Sequence, residues 1–249
     1  MSARFYAPDA HATGALVALP ADEAAHLTRV LRLGSGDAIR VFDGRGREFD
    51  AVVEQSGKSG VHVRLGATRE AAAERRVSVT LAQAVLKGDK MDDVVRDAVM
   101  IGAAVVQPVI SARSETTLAA LARGRRQERW ERVAVASVKQ CGRAVVPAVQ
   151  PPCTLELLLA GLRQAGPSVT AIMLVEPSAA AAADPLRELA MPPPRAATLL
   201  VGPEGGWTPS EIDAAADICC LVTLRGPTLR ADAMTVVALA AVFAKWGEL

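Results

Sequence analysis

The sequence predicts an α/β protein, a parallel sheet with helices on both sides, preceded by a small β-rich module. Three observations predict it. The first seventy or so residues carry short apolar or alternating runs around the hairpin signal "DGRG". From residue 77 strand-like and helix-like segments alternate, and the later strands are continuously apolar, as in strands buried on both faces. Finally, "LLVGPEGGWTPSEI" (199–212) places three glycines between an apolar run and a helix start. Open α/β sheets bind ligands at that position.

Taken in order, "AIRVFDG" and "REFDAVVEQ" read as paired strands, and "VHVRLGA" follows the turn-like "SGKSG". One helix interrupts them. In "ADEAAHLTRVLRLGSGD", Ala24, Leu27, Val30 and Leu31 recur at helical spacing and Gly34 can end the helix. These elements make up a first module over 1–72, with "REAAAERR" as the linker into a second domain over 73–249.

In that domain "VSVTLAQAV" is a strand. "KMDDVVRDAVMIGA" is a helix with Met91, Val94, Val95, Ala98 and Val99 on one stripe and Asp89 as its cap. "VVQPVI" is the next strand, and a basic helix covers roughly 123–140. "TLELLLAGLRQAG" aligns Leu155, Leu158, Leu159 and Leu162, and Gly166-Pro167 ends it. "VTAIMLVEP", "ATLLVGPEGG" and "CCLVTLRGP" are buried strands, and an apolar helix from about 233 closes the sequence. "SAAAAADPL" and "MPPPR" are low-complexity connectors.

Composition narrows the function classes. No basic start is followed by an apolar segment, so no signal peptide is expected. "AMTVVALAAVFAKW" is shorter than the ~20 residues of a membrane span. The four cysteines have no C-x-x-C spacing and there are three histidines, so neither a disulfide framework nor a metal site is expected. A cytoplasmic location is the default. Net charge is +1 over 1–76, +4 over 77–150 and −4 over 151–249. The middle third holds "ARGRRQERWER", a helical arginine cluster that suits phosphates, or else a solvated face with Glu128 and Glu131 as partners.

In the Gly-rich loop Thr208, Pro209 and Glu211 form the T-x-x-E signature of a capping box. The loop matches neither G-x-x-x-x-G-K-[ST] nor G-x-G-x-x-G, and Glu204 would repel a phosphate. It suits a ligand bearing hydroxyls, an amino group or positive charge; alternatively Glu204 is a solvated bystander in a tight turn. "LVEPS" (174–178) and "TLRGPTLRAD" (223–232) are sister loops at neighbouring strand ends, so one shared pocket is expected. Asp232 either serves that pocket or caps the last helix. Arg230 is either an ion-pair partner or a fixed cation for an electron-rich substrate edge.

"LLVGPEGGWTPSEI" followed by "LVTLRGPTLRAD" and an apolar helix resembles the SPOUT-class methyltransferases. "HLTRVLRLGSGDAIRVFDGRGREFDA", "LAQAVLKGDKMDDVVRDAVMIGAAVVQPVISARS" and "RWERVAVASVKQCGRAVVPAV" extend the resemblance, in order, to the ribosomal RNA small subunit methyltransferase E family. The resemblance implies a PUA-like β-barrel, a C-terminal trefoil knot and a homodimer. It implies methylation of a 16S rRNA uridine at ring nitrogen 3 by S-adenosyl-L-methionine, a cofactor without phosphate. Cofactor contacts fall to Leu174, Glu176, Val201, Gly202, Glu204, Gly205, Gly206, Leu224, Gly226 and Leu229. Arg230 takes the stabilising role, and Asp232, or water, is the candidate for the base. RNA contacts fall to Arg4, Arg32, Lys87, Arg125, Arg126, Gln140 and Arg143.

The sequence departs from that family's pattern at Met100-Ile101, Lys139, Arg225, Pro227, Asp232 and Ala233. A divergent knotted methyltransferase with another RNA target is the second reading. A non-catalytic RNA-binding or assembly module is the third. An ordinary doubly wound nucleotide-binding enzyme comes last, because the phosphate-loop motifs are missing.

Overall fold

In the computed structural model, residues 3–57, 60–176, 183–186, 192–224 and 229–249 are described here. The chain forms two compact units, residues 1–74 with 135–146, and residues 75–134 with 147–249.

The first unit holds β1 (Arg4–Tyr6), β2 (Leu16–Ala18), α1 (Ala21–Ala25), β3 (Ala38–Phe42), β4 (Glu48–Gly57) and β5 (Gly60–Arg69). The sheet order is β1-β3-β4-β5-β2, with only the β1–β3 pair parallel. "DGRG" makes the β3–β4 turn for a local reason. The Asp43 carboxylate accepts the Arg45 and Arg47 backbone N–H groups at 2.8 and 3.0 Å, and Gly44 takes φ +77°. A Cβ at Gly44 would stand 2.8 Å from the Tyr6 ring. Phe5, Leu27, Ile39, Val41, Phe49, Val63 and Leu65 form the core.

The expected helix is formed, unbroken from Ala21 to Val30, but its second half is not α and its apolar residues are not all covered. α1 stops at Ala25, His26–Val30 wind as a π turn, and Val30 and Leu31 face solvent while Ala24 and Leu27 are buried.

The second unit begins with β6 (Ser78–Ala84), α2 (Lys90–Ile101), β7 (Val105–Ile110) and α3 (Leu118–Arg123). Then comes α4 (Arg126–Cys141), whose residues from Val135 on belong to the first unit. It is separate from α3, with Arg125 at φ 48° between them. β8 (Ala148–Val149), β9 (Cys153–Thr154), α5 (Leu155–Ala165), β10 (Thr170–Leu174) and β11 (Asp184–Pro185) follow. The last elements are β12 (Ala196–Val201), α6 (Pro209–Ala216), β13 (Cys220–Thr223) and α7 (Ala231–Lys245).

The sheet is parallel throughout, ordered β11-β13-β10-β12-β6-β7-β8, with β9 on β7. The α2 stripe is buried as its spacing predicts, and so are Leu155 and Leu159 of α5. On one face Ala82, Met173 and Leu200 pack with Leu155, Leu159, Trp207, Ile212 and Ala215. Side chains alternate along strands, so Leu81, Gln83 and Leu199 take the other face, where α7 packs on β12 and α2. The chain leaves β6 toward β7 but later returns to β6's other side as β12, which makes the β6/β12 edge the topological switch point. Among the described residues no helix is long and apolar enough to cross a membrane, and no cluster of His, Cys, Asp and Glu could hold a metal.

Candidate active site

The loop after β12 is shaped by what its glycines admit. A Cβ on Gly202 would lie 3.3 Å from the Trp207 ring, and one on Gly205 3.2 Å from Arg113 Cδ. Gly206 takes φ +67° and its missing Cβ would lie 3.4 Å from Glu176 Oε1, which sets the Glu176 carboxylate beside the loop. Trp207 is buried, and its indole N–H donates to the Leu174 carbonyl at 2.9 Å, tying this loop to the end of β10. Arg113 donates to the carbonyls of Gly205 and Trp207 from the outer side.

The capping box of α6 forms as its T-x-x-E signature predicts, with the Thr208 N–H and Glu211 Oε2 at 2.8 Å. Glu211 is buried, and its other oxygen accepts the Ala112 N–H at 2.8 Å. One acid therefore fixes both the helix start and the loop after β7.

A buried amide stands behind the loop. Gln83 of β6 is fully enclosed, and its Nε2 faces the carbonyls of Ala84, Val201 and Gly202 at 3.0, 3.4 and 3.3 Å. Three acceptors around one atom identify it as the nitrogen. Its Oε1 accepts the Thr235 hydroxyl of α7 at 2.5 Å, and Thr235 is also fully buried. Gln83 thus joins the Gly-rich loop to the helix that starts at Arg230. Sequence reasoning missed both residues, although a glutamine inside the apolar run "VSVTLAQAV" was the available signal.

Glu204, expected to meet a cationic ligand, is paired with a cation of the chain. Its Oε1 lies 2.7 Å from Lys90 Nζ and 3.3 Å from the Lys87 N–H. Partial burial opposes its ionisation, but Lys90 and the backbone N–H donors outweigh that and hold its pKa below the usual carboxylate value. Glu204 is the clamp across the β6/β12 switch point.

Arg230 holds the N-cap position of α7, 73% exposed, and its Nε stands 3.2 Å from Asp232 Oδ1. Asp232 sits in the first turn and is not the cap residue. Leu224 and Leu229 are half-buried at the two sides of the third loop. Gly226 lies outside the described residues, as do Arg225 and Pro227.

The expected RNA contacts divide. Arg4 is not available: its guanidinium pairs with buried Glu48 at 2.8 Å and donates to the carbonyls of Val138, Lys139 and Arg143. It serves as the C-terminal cap of α4, where carbonyls lack helical partners. Arg143 is equally committed, buried and paired through Nε with Glu74 at 3.0 Å. Lys139 Nζ is held by Glu23 at 2.8 Å.

The three cations expected to meet RNA in the second unit are held in ion pairs. Lys87 pairs with Glu115, which raises its pKa, Arg125 with Glu128 at 2.8 Å, and Arg126 with Asp89 at 3.3 Å. Asp89 makes no side-chain capping bond at the α2 start. Gln140 and Arg32 are exposed.

A family model described as an RNA methyltransferase domain matches residues 73–243, and one described as an RNA methyltransferase PUA domain matches 19–66. The chain is 32% identical to a ribosomal RNA small subunit methyltransferase E of Synechocystis, over 92% of this chain and 73% of that one. A protein of the same name from Mycobacterium bovis is 28% identical over 96% and 90%. Among solved structures, a ribosomal RNA small subunit methyltransferase E from Neisseria gonorrhoeae bound to S-adenosyl methionine superposes with a TM-score of 0.87. It is 29% identical and covers 99% of this chain and 98% of its own. A methyltransferase from Legionella pneumophila with bound SAM has the same TM-score at 28% identity, covering 98% of both chains.

Proposed function

Because the chain belongs to the ribosomal RNA small subunit methyltransferase E family, we propose that it methylates ring nitrogen 3 of a uridine in 16S rRNA, using S-adenosyl-L-methionine. The coarser activity, cofactor-dependent methylation of small-subunit rRNA, is that of the family. The observation that carries the reading is the loop after β12, held by Trp207, Gln83 and Glu211 at the switch point without a phosphate-binding motif. The residues fit the cofactor. Gly202, Gly205 and Gly206 leave backbone where side chains would intrude, and Glu176 supplies a carboxylate beside them. Leu174, Val201, Leu224 and Leu229 supply the remaining walls. Glu204 holds the loop through Lys90 and stays among the proposed cofactor contacts.

When bound, the cofactor supplies an electrophilic methyl on a sulfonium. The uracil imide must lose its proton at or before transfer, leaving charge shared with two carbonyl oxygens. Arg230 binds those oxygens and stabilises the charge, a role suited to a group that does not give up its proton. Asp232 orients Arg230 and accepts the imide proton, directly or through water. The target base leaves its stack to reach this position. Exposed Arg32, Lys87, Arg125 and Gln140 and half-buried Arg126 meet the RNA. The surface ion pairs of Lys87, Arg125 and Arg126 are weak enough for phosphates to replace. The module boundary at 72/73, a trefoil knot, a homodimer and a cytoplasmic location belong to the same proposal.

Labelled-methyl transfer to small ribosomal subunits from a strain lacking the enzyme tests it. The expected product is 3-methyluridine in 16S rRNA. Arg230→Ala is expected to bind cofactor normally by calorimetry and to lose about 10²-fold or more in transfer. A methyl mark on another nucleoside, or none, overturns the uridine reading.

A further inference from the structure

Most charges around the Gly-rich loop are matched within the chain. Glu204 pairs with Lys90 at 2.7 Å, and Glu211 accepts the N–H groups of Thr208 and Ala112. Lys87 pairs with Glu115, and Arg230 with Asp232. Two charges differ. Glu176 is exposed beside Gly206 and has no cationic partner among the described residues. Arg113, in the loop after β7, is exposed and has no acidic partner among them.

Arg113 is nevertheless seated on the loop. Its Nη1 donates to the carbonyls of Gly205 and Trp207. A Cβ on Gly205 would lie 3.2 Å from Arg113 Cδ, so glycine at this position admits the arginine. Nε and Nη2, the other edge of the guanidinium, have no acceptor among the described residues. That edge is the two-pronged donor that matches a carboxylate. Successive glycines thus face opposite, unmatched charges: Gly205 a guanidinium and Gly206 a carboxylate. S-adenosyl-L-methionine ends in an α-amino acid group, which carries both an ammonium and a carboxylate. The residues already proposed for the cofactor offer nothing to that carboxylate. Leu174, Val201, Leu224 and Leu229 are apolar, and Glu176 and Glu204 would repel it. At the start of α6 the N–H groups of Thr208 and Glu211 are taken by the capping box.

We propose that Arg113 is a cofactor-binding residue: Nε and Nη2 receive the α-carboxylate of S-adenosyl-L-methionine while Nη1 holds the loop. Glu176 is left to the cationic groups of the cofactor. The proposal rests on S-adenosyl-L-methionine being the cofactor, and it ties ligand binding to the loop after β7 as well as to the three loops already described.

The test is calorimetric binding of two ligands to the full chain, S-adenosyl-L-methionine and its decarboxylated form, which differs only in lacking the carboxylate. At about 0.15 M KCl, charges more than about 8 Å apart are largely screened, so the comparison reads a near contact. Arg113→Gln changes an exposed side chain and is expected to melt within about 2 °C of the wild type. The ratio of affinities for the carboxylated over the decarboxylated ligand is expected to fall roughly fivefold or more in this variant. Arg113→Lys keeps the charge but not the fork, and its ratio is expected to lie between the two. If Arg113 serves only to hold the loop, Arg113→Gln weakens both ligands equally; that result, or an unchanged ratio, would overturn the proposal. So would a loss confined to the affinity for a small-subunit rRNA transcript, which assigns Arg113 to the RNA. These outcomes leave the cofactor reading standing, whereas a wild type that binds neither ligand overturns both.

Discussion

Thr235→Val removes a single hydroxyl from the buried contact between α7 and β6. The two side chains have nearly the same shape, so the change falls on the hydroxyl's contacts, with Gln83 Oε1 and, within the helix, with the Ala231 carbonyl. Gln83 Oε1 then keeps no partner in a site with no exposed surface. Leaving a buried acceptor unsatisfied costs about 1–3 kcal/mol. For a chain of this size each kcal/mol lowers Tm by roughly 2–4 °C. Because Gln83 also holds the Gly202 carbonyl, the loop and Arg230 lose their common reference. A shift of about 1 Å at a reacting group can cost ~10²-fold, so kcat for methyl transfer should fall by tenfold or more. Calorimetric melting and single-turnover transfer measure both effects. Thr235→Ser should restore stability and rate. Adding Gln83→Leu removes both polar partners and should cost less than the sum of the single changes. Strict additivity, or an unperturbed Thr235→Val protein, would refute the coupling.

Three further outcomes follow from the geometry. Arg4→Ala strands buried Glu48 and uncaps α4, and should destabilise the protein by about 3–5 kcal/mol in urea unfolding; the same stability as wild type would return Arg4 to the RNA-binding candidates. Glu204 has its folded pKa depressed below the ordinary value of 4.5, so the stability it contributes is complete above that pH. That stability disappears as pH falls through the depressed value, and Glu204→Gln should flatten this acid limb in pH-dependent melting. Cys219 is buried and its thiol is pushed up to about 12 by that burial, with Cys220 adding to the shift, whereas Cys220 is exposed. Brief iodoacetamide treatment at pH 8 followed by mass mapping should label Cys220 and spare Cys219.

Features that depend on near neighbours in the chain could be read from the sequence. The Thr208–Glu211 box spans four residues and the α2 stripe one helix, and both are as their spacing predicts. The α1 region shows the limit of such reading. Its spacing identifies apolar residues one turn apart, but which of them is covered depends on strands elsewhere in the unit, and Val30 and Leu31 are left outside. The partners of the charged residues were hidden for the same reason. Arg4 finds Glu48, Arg143 finds Glu74 and Glu204 finds Lys90, all far apart in sequence. A count of charges treats such residues as free when the fold has already used them. Gln83 differs, since a polar residue in a buried strand always has to be satisfied, and its position in an apolar run was visible.

The passage of α4 from one compact unit into the other bears on synthesis. Residues 135–146 complete the unit to which the first strands belong, and Arg4 and Glu23 have their partners among them. At roughly 5–20 residues per second, the ribosome makes that segment several seconds after residue 72. Until then Glu23 lacks Lys139, and Arg4 lacks the carbonyls it caps. The N-terminal strands therefore cannot finish folding on emergence, and a gene fragment ending near residue 72 would encode an unfinished unit. Any transplant of this module must carry the distant segment with it.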